Sequence, residues 1–174
     1  MKSTVNIRKL IVAAMFAAIV CVATMIIKVP VPATNGYIHM GDGAVILSGW
    51  MLGGLFGALA AGIGSALADL LLSYAVYAPG TFVIKALTAL VAVVIFKLLC
   101  KWNKIVARIV SAIVAEAVMV VLYFVYEATF LGYGLGAAAS IPANIVQGVG
   151  GVIVAVLIMG LLGNNKFIGN IVKK

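Results

Sequence analysis

The sequence predicts an all-α membrane protein, a compact bundle of six transmembrane helices covered by its first loop, and three observations carry that prediction. Hydrophobic residues make up 66% of the 174-residue chain and charged residues 9%, with a mean hydropathy of +1.28; soluble domains hold about 25% charged residues. The apolar residues fall into runs of roughly 20, the length that crosses a bilayer as a helix. Lys and Arg stand at the ends of those runs, where they set orientation in membrane proteins. A chain of this length holds about six such spans with short connections, which makes residues 1–174 a single integral membrane domain.

Lys2, Arg8 and Lys9 precede the first apolar run, about 10–27. That run exceeds the roughly 7 to 15 residue core of a secretory signal and reads as span one. Ala13 and Ala17, and Ala14 and Ala18, form two overlapping pairs of small residues four apart, a spacing that lets another helix approach closely. The partner is another part of the bundle or a second protein. The segment 28–43 mixes Pro30, Pro32, Asn35, Gly36, Gly41 and Asp42, a loop composition, and is long for a hairpin in a small bundle. It reads as a lid, with His39 on it. A single histidine without partners at ligand spacing is no metal site, so neither metal nor cofactor is expected.

Spans two and three read as about 44–61 and 63–77, an antiparallel pair rich in glycine. Asp69 then lies inside span three, about 12 Å below Tyr77 at 1.5 Å per residue, as a paired buried carboxylate or a coupling group. Pro79 and Gly80 open span four, about 80–99, with Lys85 one to two turns inside it. A lysine at that depth needs a partner or snorkels outward. Spans five and six read as about 105–126 and 137–162, with Pro142 where a helix start tolerates proline. Cys21 and Cys100 lie in different spans and suggest no disulfide framework.

With six spans, both termini and the 97–108 connection share one side and carry ten of the twelve basic residues. That side is expected to be cytoplasmic, N-in and C-in, and the same distribution argues against nucleic acid as the partner of the +8 net charge. Tyr74, Tyr77, Thr81, Lys85, Tyr123, Tyr126, Glu127, Asn144 and Gln147 then fall in the outer half, with Glu116 deeper. Polar groups in lipid-spanning segments cost several kcal/mol, on the order of 2.5 to 3.5 for an ion, and normally face a functional interior. Glu116, Tyr123 and Glu127, spaced by seven and four, share one helical stripe; Asn144 and Gln147 share a face of the next helix. Together with His39 they outline a substrate site open to the outside. Carboxylates, amides, an ammonium and aromatic faces suit a flat polar heterocycle. No Walker A sequence, nucleophile elbow or dinucleotide fingerprint occurs, so the chain is not expected to be an enzyme.

Five stretches in order, "RKLIVAAMFAAIV", "GDGAVILSGWMLGGLFGALAAGIGSALADLL", "PGTFVIKALTALVAVV", "AEAVMVVLYFVYEA" and "SIPANIVQGVGG", resemble the substrate-binding S components of energy-coupling factor (ECF) vitamin transporters. They look most like the branch with riboflavin-type and hydroxymethylpyrimidine or vitamin B6 type components. The metal-transporting branch opens on a Met-His pair, whereas Lys2 follows Met1 here. The resemblance implies a prokaryotic cell membrane, a vitamin or vitamin precursor as substrate, and two kinds of partner: a transmembrane coupling subunit and two ATP-binding subunits. It also implies that one of the registers, Ala13 with Ala17 or Ala14 with Ala18, docks the coupling subunit. Two other readings stand beside it, a stand-alone proton-coupled transporter relaying through Asp69 or Glu116 and an intramembrane enzyme or assembly factor. The first usually shows internal repeats and broken helices, and the second needs a catalytic constellation.

Overall fold

Six α-helices, a β-hairpin and one 3-10 turn make up the computed structural model, which describes residues 7–32 and 34–162. Lys2, Lys166, Lys173 and Lys174, which enter the charge count above, lie outside the described residues. Helix α1 (Ile7–Ile26) leads into strands β1 (Lys28–Val31) and β2 (Gly36–His39), followed by α2 (Asp42–Leu52), α3 (Gly54–Leu71), α4 (Ala78–Leu99), α5 (Lys104–Thr129), the 3-10 turn Gly134–Ser140 and α6 (Ile141–Leu162). All but α2, which has 11 residues, are long and apolar enough to cross a membrane.

The bundle is apolar outside and mixed inside. Along α1, Leu10, Ile11, Met15, Ile19 and Val22 are exposed while Ala13, Ala17, Val20 and Thr24 are buried. Lipid tails offer no penalty to exposed leucine, so packing depends on small residues that bring backbones together. At Gly49 of α2 a Cβ atom would lie 2.4 Å from the Ala89 carbonyl oxygen of α4, and at Gly64 of α3 one would lie 2.4 Å from the Ala17 carbonyl oxygen of α1. The most extensive packing joins α3 to α4, α4 to α5 and α1 to α3. Ile46, Trp50, Ala92, Ala112 and Ala155 form one core, and Tyr77, Ile84, Met119 and Tyr123 another nearer the hairpin.

Local signals place the helix ends. The Asn103 side chain accepts from the backbone N–H groups of Ile105 and Val106 at 2.9 and 3.1 Å and caps α5. Pro79 stands in the first turn of α4, where its missing N–H costs nothing.

The second and third spans differ from expectation. The break falls at Gly53 and Gly54, with φ of 68° and 44°, and not near residue 62; these left-handed conformations suit glycine and end α2. Helix α3 stops at Leu71, so 72–77 is a turn containing Ser73 at φ 67° and not helix. Asp69 therefore stands two residues from a helix end and not deep below Tyr77. The segment 28–43 is a hairpin whose last residues, from Asp42, already belong to α2. Helix α5 continues to Thr129, past its expected end near 126.

Candidate functional site

Short connections alternate between two ends of the bundle, so the hairpin, the 72–77 turn and the 130–140 segment meet at one end. Between them lies a cavity of about 30 Å³. Val31, Thr34, Gly36, Tyr37 and His39 roof it; Asp69 of α3, Tyr77 and Thr81 around the start of α4, Tyr123 and Glu127 of α5, and Ser140, Asn144 and Gln147 line the rest.

The hairpin pairs Lys28 with His39 and Val31 with Gly36 and turns through Asn35 at φ 51°, a conformation asparagine tolerates. Among the described residues three hydrogen bonds fasten it to the bundle. The Tyr37 hydroxyl donates to Asp69 Oδ1 at 2.6 Å, the Tyr77 hydroxyl donates to the Thr34 carbonyl at 2.7 Å, and the His39 backbone N–H donates to Gln147 Oε1 at 2.9 Å. Gly36 permits the second, because a Cβ there would lie 3.1 Å from the Tyr77 oxygen. Burial, and then the Asp69 carboxylate, push the Tyr37 phenol up, and burial likewise raises Tyr77. Both therefore stay protonated donors. His39 Nδ1 accepts from the Gly41 N–H at 3.0 Å, which leaves its proton on Nε2. Burial holds this histidine down at about 4 against the opposing pull of Asp42, so it is neutral at physiological pH.

On the opposite wall the Ser140 hydroxyl donates to Glu127 Oε2, and Tyr77 stands 3.3 Å from Oε1. Asn144 Nδ2 reaches Ser140 Oγ at 3.4 Å, and the Tyr123 hydroxyl donates to Thr81 Oγ1 at 3.1 Å. Beneath the cavity the Lys85 ammonium donates to Asp42 Oδ1, both side chains fully enclosed. Gln147 Nε2 donates to Asp42 Oδ2 at 2.7 Å, and the ammonium lies 5.2 Å from the Tyr123 ring centroid. One amide side chain thus joins the hairpin to the buried ion pair.

Of the ten side chains singled out from sequence, His39, Tyr77, Tyr123, Glu127, Asn144 and Gln147 line the cavity. The other four do not. Lys85 is occupied by Asp42 below it, and Tyr74 packs its ring 4.5 Å from Tyr37. Tyr126 turns away to donate to the Val76 carbonyl at 2.8 Å, with its ring over Gly80. Glu116 is buried where Gly148 and Gly151 of α6 make room for it, and its carboxyl oxygens accept no hydrogen bond among the described residues. The lining adds Thr34, Tyr37 and Ser140, which the sequence did not single out, and Asp69, whose role it left open. Asp42 was counted as loop; the one available signal was that Lys85 needed a carboxylate.

The two alanine registers are also separated. Ala13 and Ala17 are buried against Ala60 of α3 and Ala14 and Ala18 are exposed, while all four border an apolar groove of about 550 Å³ with Leu10, Phe56 and Ile63. Among the described residues no group of three or more His, Cys, Asp or Glu could hold a metal ion.

Comparison with known proteins agrees with this architecture. A protein of Pyrococcus woesei, described as "Uncharacterized protein in gap 3'region", is 36% identical over 135 residues, covering 78% of this chain and 88% of that protein. A solved structure described as "Structure and mechanism of the S component of a bacterial ECF transporter" superposes with a TM-score of 0.66 at 26% identity, over 90% of this chain and 96% of that one. The family model for "ECF-type riboflavin transporter, S component" matches residues 4–164. By that match, over nearly its whole length, the chain belongs to the ECF-type riboflavin transporter S component family.

Proposed function

We propose that this chain is the high-affinity capture subunit of a vitamin uptake transporter in a prokaryotic cell membrane. It takes a small polar heterocycle of hydroxymethylpyrimidine or vitamin B6 type from outside and delivers it by associating with a coupling subunit driven by two ATP-binding subunits. The observation that carries the reading is the polar cavity itself, built from a hairpin and four helices at one end of an otherwise apolar bundle. Its N–H and O–H donors, amides and two carboxylates match the edge of such a ring. At about 30 Å³ it admits water-sized occupants, so a ring gains access when the hairpin lifts. The hairpin is the lid, both termini face the cytoplasm, and the exposed Ala14 and Ala18 form the register that docks the coupling subunit.

Mass spectrometry of the small molecule that copurifies with the chain, followed by binding measurements on Glu127→Ala and Asn144→Ala, tests this. Both variants should fold and bind the copurified molecule at least about tenfold more weakly, the loss of one or two hydrogen bonds to a polar ligand. Unchanged affinity in both would move the site elsewhere. The buried Lys85, Asp42 and Glu116 favour a second reading, a stand-alone proton-coupled transporter. Proton-driven uptake by the purified chain without partner subunits would establish that reading and displace the first.

A further inference from the structure

Among the described residues the cavity holds two carboxylates, Asp69 and Glu127, and no available cation. Glu127 accepts from Ser140 on Oε2, and the Tyr77 hydroxyl, whose proton goes to the Thr34 carbonyl, stands 3.3 Å from Oε1, whereas Asp69 accepts on one oxygen. Its Oδ1 takes the Tyr37 proton from the hairpin, while Oδ2 is buried and has no hydrogen-bond partner among the described residues, in a side chain only 3% exposed. The neighbouring Thr81 hydroxyl accepts from Tyr123 and keeps its own proton to donate, so it is a second donor beside this carboxylate, but no hydrogen bond from it reaches Oδ2. A buried carboxylate oxygen without a donor is costly to keep, and a ligand that supplies the donor recovers that cost. Nothing else in the cavity offers positive charge. Lys85 is spent on Asp42, His39 is neutral, and among the described residues no Lys or Arg lines the walls.

We propose that Asp69 Oδ2 is a substrate-recognition point that accepts an N–H from an amino group or protonated ring nitrogen, and that the cavity thereby rejects ligands carrying a phosphate or carboxylate. This rests on the capture function proposed above and narrows its substrate to neutral or cationic aminated heterocycles. The Asp69 carboxylate and the Glu127 carboxylate belong to different helices, α3 and α5, so a ligand between them meets an acceptor on each side. Tyr37 is a positioning residue, because its hydroxyl fixes Oδ1 and so presents Oδ2.

The test is calorimetric binding to the full chain in detergent of two amines, 4-amino-5-hydroxymethyl-2-methylpyrimidine and pyridoxamine, and of the phosphate ester of each. At least one amine should bind the unaltered chain and beat its own phosphate ester by more than about tenfold, since a phosphate would face two carboxylates without a counter-cation. Asp69→Asn, which keeps the shape and replaces an acceptor oxygen by a donor, should weaken the amine by about ten- to a hundredfold at an unchanged melting temperature, the range of a hydrogen bond to a charged group. Equal binding by Asp69→Asn, or an ester as tight as its amine, overturns the inference and leaves the capture function standing. So does binding of riboflavin with neither amine bound. Failure of the unaltered chain to bind amines, esters and riboflavin alike overturns both. Should Asp69→Asn fail to fold, the amine-to-ester ratio of the unaltered chain decides alone.

Discussion

Lys85 and Asp42, 43 residues apart in sequence, form an ion pair in which neither side chain has any solvent exposure. The pair ties the first turn of α2 to the second turn of α4 directly below the cavity. Removing one member leaves an uncompensated charge in a medium that solvates it poorly, whereas removing both leaves none. Lys85→Met and Asp42→Asn should each lower stability by about 3–5 kcal/mol, and the double variant should regain at least half of that loss. Thermal unfolding of the four proteins in one detergent checks this; additive losses would contradict it.

Close approach of α2 to α4 makes a second prediction. A Cβ on Gly49 would fall 2.4 Å from the backbone oxygen of Ala89, which cannot rotate aside, while one on Gly160 meets nothing within 4 Å. Gly49→Ala should therefore destabilise by about 1–3 kcal/mol. Gly160→Ala, in the last turn of α6, should be neutral or stabilise by up to about 1 kcal/mol. Melting temperatures moving in the same direction would count against the packing described.

The alanine registers separate folding from assembly. Ala17→Leu intrudes on Ala60 and should reduce the yield of folded protein; Ala14→Leu points into an open groove and should leave yield and vitamin binding unchanged. On the proposed docking, Ala14→Leu should nonetheless abolish copurification with the coupling subunit. Copurification of that subunit with Ala14→Leu and Ala18→Leu at normal levels would remove this face from consideration.

His39 makes hairpin stability depend on acidity. Its pKa falls from 6.5 to about 4 on folding, so the unfolded or lifted hairpin binds a proton first as pH drops. The stabilisation is complete above about 6.5 and is lost as pH falls toward and through 4. Protonation of Nδ1 would also take away the acceptor for the Gly41 N–H. The melting temperature should decline between pH 6.5 and 4 more steeply than in His39→Gln, and parallel declines would mean that this ring is not the titrating group.

Hydropathy located α1, α4, α5 and α6 to within a few residues, because long apolar runs bounded by charge or proline leave little choice of register. It could not locate the α2 to α3 break, since residues on both sides of Gly53 are equally apolar and glycine there reads the same as glycine used for helix packing. Only the positive φ values distinguish the two uses. Helical spacing correctly put Tyr123 and Glu127 on one face, which lines the cavity, and Asn144 and Gln147 on another. The same spacing carried Glu116 along, but seven residues is two turns, and at that depth its neighbours are Gly148 and Gly151 and not the cavity. Asp42 and Lys85 could not be paired from sequence because nothing periodic connects a loop end to a helix so far along the chain. Asp69 was misplaced by the same error that lengthened its helix to Tyr77.

The amide of Gln147 holds the His39 N–H with its oxygen and Asp42 with its nitrogen, so raising the hairpin strips a bond whose other end sits on the buried charges. That N–H can trade its hydrogen with solvent only while the hairpin is raised. On the proposed lid role its deuterium uptake is an internal clock for opening, readable in the unmodified chain without any attached dye, and a bound solute should slow it.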